Sequence, residues 1–497
     1  MGIVFRNIVF RNIVFGGILL KLAQAPHQGW IDRRWLILLF LMVNLITGWR
    51  LATTTPMGQV ADEPSHVARA ASLLHGQIFA SKRIYQGTPV GGLKVDPGIA
   101  FASMEGLGQN MIPMTPGKRA GVAKIPWTHH NEFDLAIGAV PYFPALYAPG
   151  ALGIETGKIL GLGPLHALYL GRVFLLAAYL ALGCACLWFA RAGRGVFFTL
   201  LSLPMALSLG ASFNLDGMII ACCALAGALF TLDPAQYPKA RWIAAALIAL
   251  VICDKPPYAL MLFAAALPIA ARGALRRLIM AGLFAVPSLI WIAAVMHSGL
   301  MSVWLPPYHP GPLWPGDPNA VFTGPSISAG LKVLLHAPRL IFTLPYNYFH
   351  TYGSGIWDQF IGILGWLNVL LPSRQYTWWS VAIVTCLAGA LFTPDNKSRR
   401  WQGLDALFVA LLITASMQAI CLALYLSWTK VGMPLISGVQ GRYLLPLVAL
   451  LPLILPRYRC SPRVAAIIEI ASILPVALLA LHDKDLLPKL IHAKFGW

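Results

Sequence analysis

From Trp35 to Leu481 the chain is a succession of apolar runs, and that succession leaves few folds open to it. The runs stand at about 35–51, 166–190, 195–212, 216–232, 242–254, 257–271, 277–297, 377–393, 404–427, 442–456 and 464–481. In hydrocarbon every backbone N–H and C=O must be satisfied within the protein, which a helix does along its own length. About 20 residues of helix cross the apolar thickness of a bilayer. The pattern predicts an all-α fold, a polytopic integral membrane helical bundle. Composition agrees, with 58% hydrophobic and 11% charged residues, outside the range of soluble domains. Pro204, Pro287 and Pro446 interrupt some runs and loosen their boundaries. Two further runs, 327–345 and 356–371, are broken by His336, Pro338, Arg339 and Asp358. They read either as a two-span hairpin or as an outer re-entrant pair, giving about 11 or about 13 transmembrane helices.

The formal net charge of +19 does not point to nucleic acid, because the basic residues fall in short runs between spans. Arg191 with Arg194, Lys239 with Arg241, Arg272 with Arg276 and Arg277, Lys397 with Arg399 and Arg400, and Arg457 with Arg459 and Arg463 occupy alternate connections. Cytoplasmic loops carry the excess of Lys and Arg, so these connections face inward and the N-terminus is cytoplasmic. The large segments 54–134, 298–330 and 428–441 then face outward, as does the C-terminus, against which Lys484, Lys489 and Lys494 argue. Residues 1–34 read as a basic cytoplasmic tail, 35–481 as the transmembrane domain and 482–497 as a C-terminal tail. The N-terminal repeat MGIVFRNIVFRNIVFGG has a period that fits neither helix nor strand. Arg6 and Arg11 break its apolar stretch, so it lacks a cleavable-signal layout and reads as a tail on the inner membrane surface.

The eight cysteines fall in spans or inner loops, which predicts small packing residues and no disulfide framework. No phosphate-binding P-loop, dinucleotide fingerprint or nucleophile elbow occurs. His129, His130, Glu132 and Asp134 lie close together, but at spacings that match no firm metal-ligand pattern, and they read as an interfacial loop. The segment VWLPPYHPGPLWPGDP reads as an ordered aromatic lid or as a rigid interfacial loop.

Acids are scarce, 18 in 497 residues, yet Asp62 and Glu63 stand together where the chain leaves the first span, in ADEPSHVARAASLLHGQ. Pro64 suits the first turn of a helix, which the spacing extends to about Phe79. Val67, Ala71, Leu74 and Ile78 form an apolar stripe, with Asp62, His66, Arg69 and Leu73 on the adjacent face. The expectation is an amphipathic helix along the outer membrane surface with its acids at the leading end. A carboxylate there can act as a general base, or it can simply cap the helix and pair with His66 or Arg69.

The second informative stretch is LSWTKVGMPLISGVQGRYLLP at 426–446. Lys430 and Arg442 bracket an outer loop, with Gln440, Gly441 and Tyr443 alongside. Cations at headgroup level suit a phosphate, and basic side chains at span ends also snorkel to the interface. Lys255, in CDKPPYAL, poses the same choice, with Asp254 beside it as a neutralising partner. Asp216, in SFNLDGM, stands at a span start as a cap, and Asp358 reads either as a buried partner or as a surface acid.

Together these segments resemble the bacterial membrane family catalogued as domain of unknown function 2142. The pieces that carry the likeness are ADEPSHVARAASLLHGQ, PYFPALYAPGALG, YLGRV, SLPMALSLGASFNLDGM, DKPPY, FIGILGWLNVLLP and GVQGRYLLP, in that order. The resemblance implies a place in the GT-C superfamily of integral-membrane glycosyltransferases, a GT-C-like bundle with an acidic motif in its first outer loop. It implies polyprenyl-phosphate-linked sugar donors, a glycan or lipid acceptor, and an active site on the outer face of the bacterial inner membrane. Carried onto this chain, Asp62 matches the catalytic base with Glu63 beside it, and Arg442 is the candidate for the donor phosphate. His66, Arg69, Lys255, Lys430, Gln440 and Tyr443 complete the expected binding set. Divalent-cation dependence is open, since the superfamily contains members of both kinds.

Two readings compete with sugar transfer. A transporter or flippase of lipid-linked saccharides would also use intramembrane charge, but the chain shows no evident inverted repeat. A non-catalytic envelope-assembly protein is the third.

Overall fold

The computed structural model describes residues 32–85, 88–105, 116–136, 138–297, 305–393 and 402–495. The N-terminal repeat and the basic run Lys397, Arg399 and Arg400 lie outside the described residues. Five helices are long and apolar enough to cross a membrane: Arg33–Thr54, Pro164–Phe189, Ala274–His297, Gly403–Ser427 and Pro462–Phe495. The pair Ile327–His336 and Leu340–Gly362 makes a sixth if counted as one span, and it bends by 103° at its break. This is an all-α, multi-pass membrane protein, with two small sheets among the described residues.

The apolar runs are helical, but fewer of them are full-length spans than the sequence pattern predicts. Run 195–212 divides at Leu203 into Arg194–Ser202 and Pro204–Gly210. Run 442–456 divides into Gly441–Leu444, Leu445–Val448 and Leu451–Ile454. Pro204, Pro446 and Pro452 each stand in the first turn of the new helix, where the missing N–H costs nothing but the old ladder cannot continue. Runs 216–232 and 242–254 form the short helices Asp216–Phe230 and Ala240–Ile252, and 257–271 begins as the 3₁₀ helix Pro256–Ala266. Such interrupted backbone is tolerated at membrane depth where protein surrounds it. Every residue of Asp216–Phe230 except Leu225 is buried. Run 356–371 leaves helix at Gly362 and turns through a bridge between Leu364 and Val369.

Helix Arg33–Thr54 packs against Pro164–Phe189 and Pro462–Phe495. Within the bundle, buried polar groups pair across helices, as membrane interiors require. Asn44 Nδ2 donates to Ser202 Oγ at 2.9 Å, and Arg194 pairs with Glu469 at 2.5 Å. Helix Ala148–Ile159 lies so close to its neighbour that a Cβ on Gly153 would stand 2.6 Å from Gly171 Cα. The final helix runs unbroken to Phe495, so residues 482–495 continue it. There Asp483 accepts hydrogen bonds from Gln375 Nε2 and Trp379 Nε1.

The segment after the first span departs most from expectation. Helix Glu63–Ser72 forms and passes into a 3₁₀ turn, Leu73–His75. It stops at Gly76, φ 73°, a left-handed stop short of Phe79, and Ile78 is exposed. Only Pro64 and Ser65 of this helix escape full burial, so it is packed into the protein and does not lie along a surface. A three-stranded antiparallel sheet follows, Ser81–Tyr85, Thr88–Val95 and Glu132–Asp134, with Ser81 opposite Gly92 and Leu93 opposite Asp134. The aromatic segment after residue 305 is ordered: Tyr308 pairs with Phe322, and their rings stack at 6.0 Å. Gly311 N donates to Val431 O and Leu313 N to Gly432 O, which docks this segment on the loop 428–441.

Candidate functional site

The site is built on a corner. Where helix Arg33–Thr54 ends, its last carbonyls lack intrahelical partners. Arg172, fully buried in the middle of Pro164–Phe189, collects the carbonyls of Ala52, Thr55 and Pro56. The same guanidinium forks onto Glu63, Nε to Oε1 at 2.8 Å and Nη2 to Oε2 at 2.6 Å. Glu63 also accepts from Gly58 N and Phe213 N. All four donors are satisfied by a side chain with no exposure, so Glu63, expected beside Asp62 as a catalytic residue, anchors this corner. A buried charge of this kind persists only with full pairing.

Asp62, one residue before it, stands in the left-handed region, φ 61°, at the start of the helix, with no capping hydrogen bond from its side chain. Aspartate tolerates this conformation better than most residues, and such strain concentrates at functional sites. The turn is gripped from the SFNLDGM segment, where Asn214 Nδ2 donates to Ala61 O at 2.9 Å and Asn214 Oδ1 accepts from Asp216 N at 2.8 Å. Half-exposed Asp62 pairs with Arg442 Nη2 at 2.6 Å. Arg442 Nε lies 3.2 Å from Asp216 Oδ2, an ion pair whose N–H is not aimed at the oxygen. Asp216 Oδ1 in turn holds Lys255 Nζ at 2.9 Å. The four groups form an alternating row, Asp62–Arg442–Asp216–Lys255. Arg442 and Asp216 are almost completely buried, Lys255 is 18% exposed and Asp62 is 50% exposed at the side chain.

Tyr443 backs the row. Lys255 Nζ lies 4.3 Å and the Arg442 guanidinium carbon 5.3 Å from its ring centroid, distances at which a cation is attracted to an aromatic face. Tyr258 OH donates to Tyr443 O, fixing the turn. The turn itself presses on Leu340–Gly362, with Gly441 N donating to Gln359 Oε1 at 3.0 Å.

His66 lies between two tyrosines, stacked on Tyr142 at 5.8 Å and Tyr147 at 5.7 Å, and shares a 2.6 Å hydrogen bond through Nδ1 with Tyr147 OH. Burial lowers its pKa to about 4, against the opposing pull of Asp62 and Asp216, so the ring is neutral at physiological pH. Arg69 and Asp254 clamp one peptide group from its two sides: Arg69 Nε donates to Tyr142 O at 2.9 Å and Phe143 N donates to Asp254 Oδ1 at 2.6 Å. Asp254 therefore holds the backbone of PYFPALY, while Asp216 takes the place expected for it as the partner of Lys255. Burial pushes the Asp254 carboxyl well above the usual carboxylate range.

Of the residues expected to bind, Arg442 contacts Asp62, Lys255 and Tyr443 join the row through Asp216 and Arg442, and His66 and Arg69 hold Tyr147 and Tyr142. Lys430 stands elsewhere, exposed, with Nζ 5.2 Å from the Tyr308 ring centroid. Gln440 flanks the turn with Oε1 buried and without a hydrogen bond among the described residues. His130 and Glu132 form an exposed 2.9 Å pair, and no group of three or more His, Cys, Asp or Glu converges among the described residues. The cysteines are free thiols, buried or partly so.

Arg172, Asp216, Tyr142 and Tyr147 were missed as site residues. Arg172 left a signal, a lone charge inside an apolar run, which as a rule faces a partner. Asp216 stood in the sequence only as a cap, because its two cations come from residues 255 and 442.

No curated protein and no solved structure matches this chain. The family described as predicted membrane protein (DUF2142) matches residues 45–451, from inside the first span to the short helices after Arg442. That stretch holds every member of the charged row and its supports, and the chain belongs to the DUF2142 family of membrane proteins.

Proposed function

We propose that the protein is a membrane glycosyltransferase of GT-C type. It moves a sugar from a polyprenyl-phosphate-linked donor to a hydroxyl of an envelope glycan or lipid acceptor, at the outer face of the bacterial inner membrane. The observation that carries this reading is the convergence of Asp62, Arg442, Asp216 and Lys255 beside the end of the first span. An accessible carboxylate next to buried cations suits a reaction that removes a proton on one side and leaves a phosphate on the other.

In this reading the acceptor hydroxyl passes its proton to Asp62 as its oxygen bonds to the anomeric carbon. The bond from that carbon to the phosphate oxygen breaks, and its electron pair leaves with the lipid phosphate, which gains one negative charge. Arg442 and Lys255 stabilise that charge, and buried Asp216 keeps both cations in place between turnovers. The rings of Tyr443 and Tyr142 supply aromatic surface for a sugar. The positive charge of the site thus comes from the chain itself. An outward site has no access to cytoplasmic nucleotide sugars, which favours a lipid-linked donor. Glu63, bonded on both oxygens, takes no step.

The test is the lipid content of cells carrying Asp62→Asn as their only copy. Polyprenyl-phosphate-linked sugar accumulates in the outer leaflet if the protein consumes it there. Accumulation confined to the inner leaflet marks a flippase instead, and an unchanged lipid-linked pool removes sugar transfer from consideration.

A further inference from the structure

We infer that Asp62 is a resident anion that the donor phosphate displaces from Arg442, so that donor binding itself frees the base. This rests on the sugar-transfer reading and adds to it an order of events.

The geometry gives the cluster two cations and two carboxylates, already balanced without a ligand. A phosphate entering it adds negative charge beside a guanidinium whose Nη2 is shared with Asp62. Arg442 Nη2 donates to Asp62 Oδ2 at 2.6 Å and to Tyr443 OH at 3.3 Å. Its Nε lies against buried Asp216. A phosphate that grips Arg442 through two nitrogens competes with one of the acids, and the two differ in what yielding costs. Asp216 is 6% exposed and touches both cations, so releasing it strands a buried charge. Asp62 is 50% exposed and has water to turn into. It also sits at a left-handed position at the end of a short helix, with no capping bond to lose. A bidentate guanidinium–phosphate contact replaces the guanidinium–carboxylate contact in kind.

Once displaced, the Asp62 oxygen that accepted from Arg442 is free to accept from the acceptor hydroxyl. Without donor, Asp62 Oδ2 stays engaged by Arg442. The row thus favours donor first, acceptor second.

The experiment measures binding of farnesyl phosphate to the purified full chain in detergent, with farnesol and inorganic phosphate as separate probes. Asp62→Asn removes the competing anion, and farnesyl phosphate then binds about tenfold more tightly, the equivalent of one modest ion pair. Arg442→Gln loses binding, and Arg442→Lys, which keeps the charge and the fold, retains part of it. Inorganic phosphate following the same pattern assigns the effect to the phosphate alone, whereas farnesyl phosphate alone doing so assigns it to the lipid headgroup. Unchanged or weaker binding by Asp62→Asn, with Arg442→Gln still defective, overturns the exchange and leaves the phosphate site standing. Equal binding by wild type, Asp62→Asn and folded Arg442→Lys or Arg442→Gln overturns the exchange and the phosphate site together.

Discussion

Arg442 donates to Asp62 Oδ2 at 2.6 Å across 380 positions of sequence, joining the corner after the first span to a turn near the end of the family match. Asp62 beside it is exposed to whatever approaches, while Glu63, one residue on, is sealed against Arg172. Two neighbouring acids thus have separate tasks, and the predictions below separate them.

Glu63→Gln acts on stability. It leaves Arg172 buried with half its carboxylate partner gone, a loss of about 3–5 kcal/mol for a broken buried pair. The melting temperature in detergent falls accordingly, while the fraction that remains folded keeps its Asp62 row and its turnover. Asp62→Asn shows the reverse, a near-native melting temperature and lost turnover.

His66 makes stability depend on pH in a defined window. Its pKa is about 4 in the folded protein and 6.5 when unfolded. Between these values the unfolded chain binds the proton and the folded chain does not, so stability falls as pH drops from 6.5 toward 4. The slope reaches up to about 1.4 kcal/mol per pH unit. Melting temperatures measured across that range show the slope in wild type and lose His66's share of it in His66→Gln.

Asp254 accepts from Phe143 N, and an Asn side chain supplies an acceptor oxygen at the same place. Asp254→Asn keeps an acceptor for Phe143 N and leaves the fold intact. Its melting temperature stays close to that of wild type. Asp254→Leu abolishes that acceptor and costs about 1–3 kcal/mol for the stranded amide. Thermal unfolding of the two variants side by side checks this.

Gly441 sets the position of Arg442 without carrying charge. A Cβ there would stand 2.4 Å from both Ile356 O and Phe360 N, so Gly441→Ala pushes the turn off its supporting helix. The expected outcome is a lower melting temperature and a loss of turnover of about 100-fold, as for an angstrom-scale misplacement of a working group. Gly282, which has nothing within 4 Å of its Cβ position, is the control for a glycine-to-alanine change.

Much of the fold is readable in the chain because hydrophobic runs and proline punctuation act locally. The first span, the helix start at Pro64 and the packing role of the cysteines all follow from residues within a few positions of one another. Span length was harder to read, since Pro204 and Pro446 end one helix and begin the next inside runs whose hydropathy never falls. Surroundings decide such cases: a short helix survives at depth only where neighbours enclose it. Asp62 and Arg442 each stand out by type and placement. Their pairing, and the insertion of Asp216 between Arg442 and Lys255, depends on four segments brought together by packing, which no local pattern encodes. The buried setting of helix Glu63–Ser72 was hidden for the same reason, because the elements that cover it come from elsewhere in the chain.

The most direct measurement is release of polyprenyl phosphate from a polyprenyl-phosphate-linked sugar by the purified protein in liposomes, with acceptor present. Wild type releases it, and Asp62→Asn, shown folded by its melting temperature, falls by about 100- to 10,000-fold, the usual contribution of a general base. Release by Asp62→Asn at the wild-type rate would contradict the assignment of Asp62 as the base.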